Sequence, residues 1–126
     1  MRRALTLLAH ALVVWALCGA TMAIALQVTS EERALVAHAV AAPVAAAIVS
    51  AVYYGAFAYT SPIATAAAVT AVVAILDLLV VALLVQGSLD MFRSVMGVWL
   101  PLTLVFVQTA VSGYVARFSE RQRPRR

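Results

Sequence analysis

Long apolar stretches alternate with short polar runs along the whole chain. The third stretch sets the pattern. SPIATAAAVTAVVAILDLLVVALLVQ runs for about seven helical turns with one charged side chain, Asp77. A run this long and this apolar predicts a helix that crosses a membrane. Three further stretches resemble it, so the spans are expected near 4–26, 34–58, 62–86 and 92–116. About 23 residues at 1.5 Å each give ~34 Å, enough for the hydrocarbon core. The first stretch has a rival reading as a signal peptide, with Arg2 and Arg3 ahead of it and Ala23-Ile24-Ala25 as the cleavage site. Signal cores run only about 7–15 residues, so a retained helix is expected.

The polar runs read as turns. In QVTSEER (27–33), Thr29 followed by Glu32 has the spacing of a capping box. Ser61-Pro62 pairs an N-cap with a proline at the first helical position. QGSLDM (86–91) carries Gly87-Ser88. Turns this short predict antiparallel neighbours, and the fold expected is an all-α, up-down-up-down transmembrane four-helix bundle. Ala37, Ala41 and Ala45 predict a small-residue stripe for close helix approach. Tyr53, Tyr54 and Tyr59 predict an interfacial aromatic belt.

Composition narrows the class. With 65% apolar and 11% charged residues, and a mean hydropathy of +1.01, the chain cannot cover itself with a polar skin. Residues 1–118 are expected to form one transmembrane domain and 119–126 a basic cytoplasmic tail. All nine basic residues are Arg, and Lys and Asn are absent. With the Ala and Val excess, this suggests a GC-rich bacterial genome and hence a bacterial inner membrane. The termini hold seven of the nine Arg, whereas Glu31, Glu32 and Asp90 lie in the turns. The positive-inside rule puts both termini in the cytoplasm. The net charge of +4 therefore reports topology, and no nucleic-acid binding is expected. The single cysteine, Cys18, excludes an internal disulfide.

Residue counts place the rare polar groups at one depth. His38 lies about five residues from the outer end of its span, Asp77 about nine, Trp99 about seven and Thr21 about five, so the layer sits ~7–14 Å below the outer surface. Asp77, His38, Trp99, Thr103 and Thr21 are the candidate proton- or ligand-handling residues. Thr70, seven residues before Asp77, is expected on its face. Pro43 and Pro101 free the carbonyls of Ala39 and Gly97 near the same level, and paired helix breaks recur at transporter binding sites. They also serve simply to bend helices. Two readings of Asp77 stand: a protonatable or cation-binding carboxylate paired with His38, or a structural hydrogen bond to His38 or a threonine.

Other chemistries lack their residues. His10 lies too far from His38 in depth for both to hold one haem, so no cofactor is expected. His38, Asp77 and Glu31 or Glu32 lack recognisable metal-ligand spacing, and no metal site is expected. No nucleophile–base constellation or phosphate-binding glycine loop is present, and an enzyme is not expected.

His38 with Ala42-Pro43, Ser61-Pro62, Asp77, and Trp99-x-Pro101 followed by Phe106 and Thr109 resemble a group of small bacterial four-helix membrane proteins with no assigned activity. The resemblance implies fold and location only. Small multidrug exporters are of similar size but carry an essential glutamate in the first helix, where this chain has no acid. Small fluoride channels have Asn and Phe-rich motifs that are absent here. Two functions are therefore expected to compete. One is a small proton- or cation-linked transporter or channel-like protein, expected to form a homo-oligomer. The other is a non-catalytic accessory subunit of a larger membrane complex. The bilayer is the expected partner in both, with anionic lipid at the Arg-rich tail.

Overall fold

The computed structural model describes residues 1–123 and is helical throughout. Helix α1 spans Arg2–Val28 and α2 spans Glu31–Ala56. The third span begins as α3, Pro62–Leu76, and continues from Asp77 to Gln86 with π-helical i→i+5 bonding. After a 3-10 turn at Asp90–Arg93 and a π turn at Val95–Trp99, α4 runs Leu100–Gln122. Four helices are thus long and apolar enough to cross a membrane, as a multi-pass membrane protein requires. The fourth runs past the span expected to end at 116 and takes in the start of the basic tail. The rest of that tail, 124–126, lies outside the described residues.

Along most of α2, small side chains face inward and large ones outward. On α2, Ala39, Ala42, Ala45, Ala46 and Val49 are buried, while Val36, Val40, Val44, Ile48 and Val52 form an exposed row at four-residue spacing. Lipid is as apolar as the large side chains, so nothing drives them inward, and small residues let the backbones approach. The expected Ala37–Ala41–Ala45 stripe is correct only at Ala45. Ala37 and Ala41 are half-buried, because the buried face is turned toward Ala42 and Ala46.

The packing order corrects another expectation. Helices α2 and α4 pack together, as do α1 and α2, α3 and α4, and α1 and α3. Consecutive helices α2 and α3 therefore lie across the bundle from each other. The five residues 57–61 reach up to ~17 Å when extended, which exceeds the ~14 Å diagonal of helices spaced 8–10 Å apart.

At the end where α2 hands over to α3, a one-way hydroxyl chain closes the bundle. Thr65 donates to the Ser61 carbonyl at 2.9 Å. Its single proton is then spent, so Thr60 donates to Thr65 at 2.6 Å and Tyr53 to Thr60 at 3.0 Å. The His10 ring meets Tyr53 and Phe57 edge-on at 5.3 and 5.5 Å, and its Nδ1 donates to the Thr6 carbonyl at 2.7 Å. Tyr53 and Tyr54 are only 1% and 5% exposed, so they are core residues, not an interfacial belt. Only Tyr59, under the Arg3 guanidinium, remains at the surface. The Ser61 side chain accepts from the Ala64 amide at 3.2 Å, as expected. The expected Thr29–Glu32 box is replaced by Ser30 at the N-cap with no side-chain bond.

Gly113 of α4 makes this closure possible. A Cβ there would stand 2.5 Å from Tyr54 Cζ and 2.8 Å from Pro62 Cβ. Gly113→Ala is expected to cost about 1–3 kcal/mol through overpacking, read as a lowered midpoint in detergent unfolding. The same change at Gly55, where a Cβ meets open space, is the matched control and is expected to leave the midpoint level or higher.

Candidate functional site

At the opposite end of the bundle the helices do not close. Asp77 stands where the third span changes from α to π. Its Oδ1 accepts the Trp15 indole N–H across the α1–α3 seam at 3.0 Å. Beyond it packing thins, and Ala82 is the one buried residue between Asp77 and Gln86. Leu83, Leu84 and Val85 are exposed, and Gly87 ends the stretch with φ +63°, a conformation glycine adopts without strain.

The space left is a cavity of about 690 Å³. Its walls come from the later half of α1, the early half of α2, the π-helical half of the third span, and the approach to α4. Asp77 and His38 both line it, one from the third span and one from α2. Trp15, Cys18 and Pro101 line it too, and Glu31 and Asp90 lie toward its mouth. Most of the remaining wall is aliphatic. Asp77 Oδ2 and the His38 ring make no hydrogen bond with protein among the described residues, and the two side chains are not ion-paired with each other. Arg93 reaches Asp90 at 3.8 Å, with both side chains largely exposed.

The other expected site residues lie elsewhere. Trp99 is 52% exposed, donates to the Phe92 carbonyl at 2.7 Å, and lines a separate shallow groove between α3 and α4. Thr103, bonded to the Trp99 carbonyl at 2.8 Å, and Thr70 line the same groove. Thr21 donates to the Leu17 carbonyl of its own helix at 2.8 Å and does not line the cavity. Counting residues along a span carries no information on azimuth. A threonine hydroxyl can satisfy itself on the preceding turn, so nothing obliges it to face inward. Pro43 also stands outside the cavity, and α2 runs through it unbroken. At Pro101 the missing N–H coincides with a change of backbone: Leu100 donates to the Val95 carbonyl in the π pattern just before it.

Trp15 is the partner that sequence reasoning missed. Its position was the available signal. An indole midway along a 27-residue span is far from the interfacial belt where tryptophan finds water, so its N–H needs an internal acceptor. Among the described residues no three His, Cys, Asp or Glu side chains gather as metal ligands. No known family, curated protein or solved structure matches the chain.

The Trp15–Asp77 bond gives an ordered set of stabilities. Trp15→Phe leaves the half-buried carboxylate without its donor and is expected to cost about 1.5–3 kcal/mol. Asp77→Asn keeps a carbonyl oxygen for the indole and is expected to cost less than half as much. Trp15→Phe combined with Asp77→Leu removes both partners and recovers most of the loss. Unfolding midpoints of the purified variants in one detergent check the order, and equal losses in Trp15→Phe and Asp77→Asn would refute it.

Proposed function

We propose that this chain is a small proton- or cation-linked transporter or channel-like protein of a bacterial inner membrane, with Asp77 and His38 as its ion-handling pair. One observation carries the reading: a carboxylate and an imidazole from different spans line one cavity inside a bundle whose outer surface is apolar. Ionisable side chains within a span are costly, and they mark ion pathways and proton relays. Histidine changes charge near neutral pH, and a carboxylate oxygen open to the same cavity can accept a proton or hold a cation.

Orientation rests on charge. Arg2, Arg3 and the C-terminal arginines favour the cytoplasmic face, and Glu31, Glu32 and Asp90 the opposite one. The two-residue link between α1 and α2 and the short links that follow suit an up-down-up-down course. On this reading the cavity opens toward the periplasm. One copy encloses little volume, so a homo-oligomer completes the pathway, and the arginine tail holds anionic lipid.

A second reading has its own observation. The Trp15–Asp77 hydrogen bond is what a structural clasp between α1 and α3 looks like, and a chain built around a clasp serves as a non-catalytic accessory subunit of a larger complex. Proteoliposomes loaded with a pH-sensitive dye separate the two. After an external acid step, wild type is expected to acidify the lumen at least tenfold faster than protein-free vesicles. Asp77→Asn is expected to fall to the vesicle background while eluting as a folded species. Absence of flux from wild type, with Asp77→Asn altering stability alone, selects the accessory role.

A further inference from the structure

We infer that the cavity takes a hydrophobic monovalent organic cation, whose charge sits beside Asp77 and whose apolar body lies against the aliphatic wall. The inference rests on the transport reading in that both use Asp77, but its own support is the chemistry of the lining. The volume of about 690 Å³ falls within the range of pockets that hold drug-sized ligands, roughly 300–1,000 Å³. Three carboxylates line it, one deep at Asp77 and two toward the mouth at Glu31 and Asp90, and among the described residues no arginine does. A cation is drawn in and an anion is repelled.

A hydrated inorganic cation is poorly served here. It needs a shell of oxygen ligands, and most of the wall is aliphatic, Val73, Val80, Leu102 and Val105 among it. An organic cation with diffuse charge needs no such shell. The carboxylate balances its charge, and the face of Trp15, already fixed by its bond to Asp77, adds a cation–π contact. The route suits the ligand as well. With Ala82 the one buried residue from Asp77 to Gln86, the third span walls the cavity only loosely, and an amphipathic cation dissolved in the bilayer meets the cavity from the side.

The probe is tetraphenylphosphonium, titrated into Trp99→Phe protein in zwitterionic nanodiscs. That variant leaves Trp15 as the only indole, since the chain has two tryptophans. A saturable change in Trp15 emission is expected. Affinity is expected to drop at least tenfold in Asp77→Asn and to return in Asp77→Glu, while neutral triphenylphosphine oxide binds both alike. If Asp77→Asn does not fold, Glu31→Gln with Asp90→Asn, both at exposed positions, is expected to weaken binding about threefold at low salt and less at high salt. Equal binding of the cation with and without these carboxylates, or binding of the neutral compound as tight as that of the cation, overturns the inference. Absent phosphonium binding alongside persistent Asp77-dependent proton flux removes the organic-cation site and leaves the proton reading standing. Absence of both removes both.

Discussion

An indole N–H meets a carboxylate at 3.0 Å where α1 faces α3, and the shape of the open half of the bundle follows from the position of that contact. Up to Val73 the third span is packed, with Thr65, Ala66, Val69 and Val73 all buried. From Asp77 onward the backbone widens to π and only Ala82 remains inside. The carboxylate costs free energy in an apolar bundle unless it is bonded, and Trp15 supplies the bond across the α1–α3 seam. Without it the open half would have nothing polar to hold α3 against α1. With it, the third span diverges from a fixed point and the cavity has a definite floor.

The rest of the architecture is a contrast between two ends built from different residues. One end is filled by rings and hydroxyls: Tyr53, Tyr54, Phe57 and His10, with the Tyr53–Thr60–Thr65–Ser61 chain satisfying each donor in turn. It packs tightly enough that Gly113 has no room for a methyl group. The other end is walled by aliphatic side chains that are too few to fill it, with acids at the mouth. Small residues alone do not make this difference, because alanines line the buried face of α2 through both halves. The cluster of Tyr53, Tyr54, Phe57 and His10 rings does, and it gathers at the closed end.

The four spans could be read from the sequence because apolarity over 18 or more residues has one physical meaning in a chain with so little charge. Counting residues from the turns puts His38 and Asp77 in one layer, and both line the cavity. Azimuth was not legible. A helix that is apolar all round carries no polar stripe to show which face turns inward, so Trp99, Thr103 and Thr21 were assigned to the site from depth alone. The diagonal placement of α2 and α3 was hidden for a related reason. Link length sets only an upper limit on separation, and alanine-lined helices stand close enough for five residues to cross the bundle.

The π-helical stretch was illegible for a different cause. Its residues, DLLVVALLVQ, are ordinary for an α-helical span, and nothing in their propensities asks for the wider turn. The change begins at the residue that is held from outside its own helix. A π segment is uncommon and tends to occur at functional sites, and here it does two things at once. It re-aims the side chains after Asp77, so that Val80 and Val81 reach the cavity while Leu83 and Leu84 face outward, and it withdraws the span from its neighbours. The cavity thus has one closed end and one loosely walled side. Passage through the bundle would require the hydroxyl chain at the tyrosine end to break, which is a local event: it involves three side-chain hydroxyls and one carbonyl, all between residues 53 and 65. That chain lies at the far end of the bundle from Asp77.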